Sequence, residues 1–466
     1  MTSLDFKDRL AEFFYYPKLS EEEDKVNDRA SFTAYLDAEP DVRPIFIYLH
    51  IPFCDYLCHF CPLFKTLNEQ TPYAVKKRFF NALVAEIYRY GKSNFLRGRS
   101  VRWVEIGGGT PTSVEPEFLD AVLAALHDAF DLSRCQVITM EGEALTLQSS
   151  AKLTLLRGYG VNRVSYGVQT FREELRRKLG LKPTVADVRR AADAVREAGM
   201  AEFAVDLLYN LPDQSLGTLR DDLARTFDLR PDYIDVYSLT LWENTRFKAI
   251  VENSDRFSTK PSNDMSIAMF ETLRTIMRDN GYDAVHSCTF ATTTAEHPYI
   301  EGIKQHLLAE GHSIGIGPSS RGFVADHQYV NTTSLEEYMA TIESDLLPVS
   351  VGAHCSTAEK AHRLMVMFPF LLQAIPLSRV PEHEVFAEEI EQLKAAGYLA
   401  ESGGWLRTTD LGMTWAGNIS RIFFSTSQKA KMTRSYLFAM RERLNPYNQD
   451  RAGISRRELG SDRPKG

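Results

Sequence analysis

Three of the chain's six cysteines, Cys54, Cys58 and Cys61, fall close together in the run HIPFCDYLCHFCPLF. The other three, Cys135, Cys288 and Cys355, are solitary, as small buried hydrophobes usually are. A disulfide scaffold would use more cysteines per residue and spread them evenly. The spacing C-x3-C-x2-C puts three thiolates on one short loop, and Pro62, Leu63 and Phe64 supply no fourth. A structural zinc takes four ligands, and a ferredoxin-type cluster takes four cysteines. Three thiolates leave one iron of a 4Fe–4S cube without a protein ligand, and an open metal position is where substrate chemistry happens. Two readings compete with this one: chance clustering, or a zinc loop completed by His50 or His59.

Such a loop needs elements to hold it. From Ile45 onward, short apolar runs recur: IFIYLHI, VRWVEIGGG, QVITMEGE, VNRVSYGVQ, EFAVDLLYNLP and YIDVYSLT. Helical spacing fills the gaps between them. The clearest case is TVADVRRAADAVREAG, with Thr184 as N-cap, an apolar stripe at Val185, Val188, Ala192, Val195 and Ala198, and Gly199 as the C′ residue. Residues 72–92, 115–130, 216–228 and 261–280 read the same way. Strands alternating with helices predict βαβ units and a parallel sheet. Six units make an incomplete (β/α)6 TIM-like barrel in the α/β class, open on one side. The active site of such a fold lies at the C-terminal ends of its strands, where the three-cysteine loop also falls.

The predicted domain plan has four parts. Residues 1–44 form a polar N-terminal extension, and 45–345 form the partial barrel. Residues 346–445 form a small α-helical, winged-helix-like cap with a hairpin turning at Gly403–Gly404. The tail 446–466 has few apolar residues and is expected to be disordered.

Composition excludes several classes. The chain has 466 residues, 54 Lys+Arg against 62 Asp+Glu and a net charge of −8. A chain this long buries roughly three quarters of its unfolded surface and needs no disulfides. The acidic balance, with no long basic run, argues against duplex nucleic acid and against a polybasic membrane anchor. No stretch approaches the ~20 apolar residues of a membrane span. The start, MTSLDFKDRLAEFF, has no apolar signal region, so a cytoplasmic location is expected.

The strand ends carry more information than the strands. In order they read YLHIPFCDYLCHFC, EIGGGTPT, MEGE, NRVSYGVQTF and VDLLYNLPDQ. This set resembles the radical S-adenosylmethionine (SAM) superfamily. Within it, the chain resembles the branch of oxygen-independent coproporphyrinogen III oxidase, related haem chaperones and class C radical SAM methylases. The resemblance covers roughly residues 45–345; one motif alone would be weak, but the combination is specific. It implies a 4Fe–4S cluster on Cys54, Cys58 and Cys61, with SAM on the open iron. It further implies contacts from Tyr48, Gly108 and Glu141 to the cluster-bound SAM. Phe60, Gly109, Thr110, Gln169 and Asp206 match positions that hold a second SAM molecule. GIGPSSRG, Gly315 to Gly322, resembles a glycine-rich loop that closes over SAM.

Departures from the branch shape the functional expectation. Leu63 stands where coproporphyrinogen oxidases have a further Cys, Leu181 and Lys182 stand near the position of an Arg on the second SAM, and His286 replaces an acid. His286 is therefore a candidate catalytic base. The expectation drawn is a radical SAM methyltransferase or cyclopropanase that transfers a methyl or methylene unit to an sp2 carbon of a small natural-product intermediate. Its expected partners are an electron donor such as flavodoxin or ferredoxin and a partner methyltransferase. The alternatives are a tetrapyrrole-acting enzyme (coproporphyrinogen III dehydrogenase or haem-degrading methylase) and a haem chaperone.

Overall fold

All six apolar runs form strands: β1 (Ile45–Ile51), β2 (Val101–Gly108), β3 (Val137–Gly142), β4 (Arg163–Gln169), β5 (Glu202–Tyr209) and β6 (Tyr233–Ser238). Each pairs in parallel with the next, since a long helical crossover separates them. Six further strands extend the sheet: β7 (Tyr282–Ala284), β8 (Thr289–Thr292), β9 (His312–Ile316), β10 (Arg321–Val324), β11 (His327–Asn331) and β12 (Val349–His354). The order is β12-β11-β10-β9-β1-β2-β3-β4-β5-β6-β8-β7. The computed structural model describes residues 4–10, 15–242, 245–253, 257–293, 297–308, 311–372 and 374–432. The tail 446–466 and the last part of the cap lie outside them. The architecture is α/β: a largely parallel, partial TIM-like barrel with a helical C-terminal region.

Two details depart from the sequence reading. β9 joins β1 as a further parallel strand, with Gly315 opposite Tyr48. The stretch Gly315–Gly322 is therefore not one loop. It ends β9, turns through residues 317–320 and opens β10 at Arg321.

Strand alternation sorts the chemistry. On β1, Ile45, Ile47, Leu49 and Ile51 are buried in the main core with Val104, Ile106, Val164, Val205 and Ile234. That layer lies under the helices Tyr73–Gly91, Pro116–Ala129, Val185–Glu197, Leu216–Leu229 and Asn263–Asp279. Thr184 caps the third of these in a reciprocal box with Asp187. The opposite strand face carries Tyr48, Glu105, Thr139, Glu141, Arg163, Asp206 and Asp235 and lines the lumen.

A second apolar cluster, including Met365, Phe368, Leu393, Leu406 and Phe423, builds the C-terminal region and takes in Tyr16 from the N-terminal segment. Leu399–Ser402 and Trp405–Thr408 form its hairpin, turning through Gly403 and Gly404 at φ 58° and 78°. Arg9 ties this region to the barrel. Its Nη1 donates to Tyr209 Oη (2.5 Å), its Nε donates to the Thr414 carbonyl (2.8 Å), and the guanidinium stacks on Phe270 at 4.0 Å. Among the described residues, no helix is long and apolar enough to cross a membrane.

Glu86, fully buried on the helix Tyr73–Gly91, braces the turn after β9. It accepts from Tyr338 Oη (2.6 Å), Gly317 N (2.8 Å) and Asn331 Nδ2 (3.1 Å). Burial outweighs these bonds and pushes its carboxyl up to about 7 from 4.5. The folded chain thus holds this proton more tightly than the unfolded one. That contribution to stability is present below about pH 4.5 and is lost as pH rises through about 7. Glu86→Ala, which strands three donors, is expected to cost about 2–4 kcal/mol in urea unfolding and to flatten stability against pH across this window.

Candidate functional site

The cysteine loop is closed at its base by a short parallel pairing of Phe53–Cys54 with Thr66–Leu67. Lys65 Nζ donates to the Cys61 carbonyl (2.8 Å) and Asn68 Nδ2 to Asp55 Oδ1 (3.0 Å), which pins the loop from inside. Cys54 is buried and Cys58 and Cys61 are partly buried; all three are free thiols. Burial pushes the Cys54 thiol up to about 12, and Cys58 is raised further by burial and by its proximity to Cys61 and Cys54. Cys54 and Cys58 ionise readily only when positive charge sits beside them, as iron supplies. Among the described residues, no three His, Cys, Asp or Glu side chains converge on a single ion. A cube has no such need, because each thiolate takes a different iron, so the donor set fits.

The zinc alternative loses one of its ligands. His50 Nε2 meets the Phe64 carbonyl at 3.0 Å and must donate there, so Nδ1 accepts from Tyr48 Oη (3.2 Å). Both ring nitrogens are engaged, and burial holds the imidazole neutral, near about 4. His59 turns to the Lys178 carbonyl (Nδ1, 3.0 Å).

The glycine motif explains itself by close approach. A Cβ on Gly107 would lie 2.5 Å from the Glu141 carboxylate, and one on Gly108 2.5 Å from the His50 ring. Gly108 also holds φ at +107°, and its N–H donates to Glu141 Oε2 (3.0 Å). Tyr48, His50, Gly108 and Glu141 therefore meet beside the cysteine loop. Burial and the neighbouring Glu105 raise the Glu141 carboxyl to about 8. Gly108→Ala is expected to weaken SAM binding by about tenfold through backbone strain and displacement of His50, measured by equilibrium titration of the reconstituted protein.

The remaining expected contacts spread along the strand ends. Thr110 Oγ1 donates to Cys54 Sγ (3.6 Å), and Gly109 N to the Ile51 carbonyl (2.9 Å). Gln169 ends β4 at φ 66°, where the β4–β5 register shifts. Asp206 lies opposite both Gly167 and Asp235. Phe60 packs on an apolar cluster of Leu175, Leu179, Leu208, Leu211 and Phe247. Lys182 Nζ donates to the Asp55 carbonyl (3.1 Å), at the cysteine loop. His286 sits in the tight turn between β7 and β8, where its Nδ1 accepts from Cys288 N (3.4 Å) and lies 3.3 Å from Cys288 Sγ. Burial lowers it to about 4, so it is neutral. Cys288, not His286, is the side chain of this turn that feels Asp235 and Asp206.

Sequence reasoning missed the centre of the lumen. Arg163, 2% exposed, donates to Thr139 Oγ1 (3.0 Å) and lies over the rings of Tyr299 (3.7 Å) and Tyr233 (4.8 Å). Around it stand Glu105, Glu141, Asp206 and Asp235, each raised by burial and lowered by Arg163. Tyr299 Oη donates to Glu105 (3.3 Å) and Thr289 to Asp235. The available signal was a charged residue, Glu105, Arg163 or Asp235, facing away from the core side of largely apolar strands: VRWVEIGG, RVSYGVQ, YIDVYS.

Comparison with known proteins narrows the family. Residues 48–225 match the family model described as Radical SAM superfamily. The chain is 28% identical over 299 residues to heme chaperone HemW of Lactococcus lactis, covering 64% of this chain and 74% of that one. It is 24% identical over 379 residues to anaerobilin synthase of Escherichia coli O157:H7, covering 81% and 83%. The solved structure of coproporphyrinogen III oxidase (HemN) from Escherichia coli superposes with a TM-score of 0.75 at 21% identity, covering 88% of this chain and 96% of that one. Relatives named for haem and for coproporphyrinogen III, HemW and oxygen-independent coproporphyrinogen III oxidase, overturn the expected methyl transfer to a natural-product intermediate. Leu63, Leu181 and His286 had motivated that expectation, but single departures at a pocket rim change contacts without fixing a substrate. With the three-thiol loop at the open strand ends of the barrel, residues 48–225 match the radical SAM superfamily, which implies a 4Fe–4S cluster and SAM, and the chain is similar there to HemW and to oxygen-independent coproporphyrinogen III oxidase.

Proposed function

We propose that this chain is a radical SAM enzyme whose substrate is a tetrapyrrole. The relatives' names supply the substrate class. The observation favouring an enzyme over a carrier is the lumen: Glu105, Glu141, Asp206 and Asp235 gathered about Arg163, beside the cysteine loop. A carrier needs affinity alone. Buried carboxyls lifted toward neutrality, Asp206 to about 7 and Glu141 to about 8, can take and return protons in the working range.

In this reading Cys54, Cys58 and Cys61 hold the cluster, and Tyr48, Gly108 and Glu141 orient its SAM. The cluster and SAM together supply a primary carbon radical. Phe60, Gly109, Thr110, Gln169 and Asp206 hold a second SAM, with Phe60 giving an apolar wall and Asp206 accepting from ribose hydroxyls. His286 acts through Cys288, which it orients. Residues 45–345 form the catalytic unit and 346–445 its cap. A one-electron donor of the flavodoxin or ferredoxin class completes the system.

The test is anaerobic incubation of reconstituted protein and SAM with coproporphyrinogen III or with haem. The expected result is tetrapyrrole-dependent release of 5′-deoxyadenosine with a mass change in the tetrapyrrole. Haem bound and handed on unaltered, with SAM cleavage no faster than without it, would overturn the enzyme reading.

A further inference from the structure

Among the described residues, buried arginines other than Arg321 find acceptors within the chain. Arg176 donates to the carbonyls of Val168, Thr170 and Pro183. Arg363 donates to the Tyr16 carbonyl, and Arg163 is ringed by acids. Arg321 differs. It is the first residue of β10, partly buried and enclosed by protein, and its guanidinium lies 4.8 Å from the centre of the Tyr15 ring. Among the described residues, no carboxylate lies within ion-pair distance of it and its guanidinium donates no hydrogen bond.

Its position makes the gap meaningful. The turn 317–320 leads from Gly315, opposite Tyr48, directly to Arg321, and a Cβ on Gly317 would collide with the His50 carbonyl. Arg321 therefore stands beside the Tyr48–Gly108–Glu141 corner. Tyr15, under its guanidinium, is within electrostatic reach of Glu105 and Glu141, yet 41% of its surface is uncovered. Tyr15 thus feels a cation, Arg321, and two lumen acids, Glu105 and Glu141, at once. A desolvated, unpaired guanidinium is costly unless something completes it. Its planar fork matches a carboxylate bidentately.

We propose that Arg321 is a carboxylate-binding site for a ligand of the lumen, with Glu105 and Glu141 receiving N–H or cationic groups of the same ligand. The inference rests on the tetrapyrrole reading for one of its two carboxylate sources, a propionate side chain. The other source is the methionyl carboxylate of SAM.

Equilibrium titrations distinguish the sources. Haem, haem dimethyl ester and SAM are titrated into reconstituted wild-type protein, Arg321→Met and Arg321→Lys. The expected result is at least a ~10-fold loss of affinity in Arg321→Met for either haem or SAM, partly restored in Arg321→Lys, with the ester unaffected by the substitution. Loss confined to haem assigns the propionate, and loss confined to SAM assigns the methionyl group. Among the described residues the guanidinium meets only the Tyr15 ring, which a methionine side chain also covers, so Arg321→Met is expected to melt no lower than wild type. Unchanged affinity for both acids, or a lowered melting temperature, would overturn the proposal. If wild type binds neither haem nor its ester, the substrate reading fails while the SAM titration still decides Arg321.

Discussion

Replacing any one of Cys54, Cys58 or Cys61 with Ala is expected to abolish SAM cleavage and reduce bound iron from about four per chain to near none. The loop carries three thiols; Leu63 is not a ligand, both nitrogens of His50 are engaged at Tyr48 and Phe64, and His59 turns its Nδ1 to the Lys178 carbonyl. A cube held at three corners has no spare protein ligand to replace a lost one. Burial deepens the effect: it holds Cys54 and Cys58 protonated without metal, so a pair of cysteines does not preserve a partial site. Cys135→Ala and Cys355→Ala are the controls, since they lose only packing, about 1–2 kcal/mol, and keep the cluster. Iron and sulfide analysis with the cluster's visible absorbance reads the result. A cysteine-to-alanine variant in the loop that retains cluster and turnover would refute the three-thiol ligand set.

What the sequence disclosed was local. Helix caps, apolar periodicity and strand-end motifs are written in neighbouring residues, so Thr184, Gly199 and the six parallel runs could be placed directly. The cysteine spacing likewise announces its chemistry within one loop. What stayed hidden depends on long-range register. β9 pairs with β1 across more than half the chain, and nothing in HSIGIG says so. The glycine-rich stretch therefore looked like a loop, although Gly315 is needed in the sheet because Arg321 backbone approaches where its Cβ would be. Arg163 was overlooked because a charged residue opening a strand looks like a polar edge. Only barrel curvature turns it inward among acids from four other strands. The second-SAM candidates show the same limit: Lys182 stands near the position of an Arg on the second SAM, and it reaches the Asp55 carbonyl at the cysteine loop. Substrate was least legible, because departures such as His286 report changed contacts and not the molecule being contacted.

Arg163 is where the lumen's charge balance is most exposed to test. Four carboxyls, on β2, β3, β5 and β6, face one guanidinium, and each is lowered by it against the larger effect of burial. Arg163→Met removes that cation and the stacking on Tyr299 and Tyr233, leaving the acids uncompensated. The expected cost is about 3–5 kcal/mol at neutral pH, the range found when buried charge loses its compensation. Its pH dependence separates charge from packing. Asp206 at about 7 and Glu141 at about 8 already lie above their ordinary 3.8 and 4.5, so the folded chain binds these protons more tightly than the unfolded one. Their contribution is present below about pH 4 and is lost as pH rises through about 8. Without Arg163 the folded values climb further, so the deficit of Arg163→Met should widen from pH 5.5 to pH 8. Arg163→Lys keeps the charge but not the planar stack, and should recover most of the pH dependence and part of the stability. Urea unfolding of all three proteins across that range measures this directly. A deficit of the same size at every pH would mean that Arg163 serves only as packing between two tyrosines, and the lumen acids would need another source of compensation.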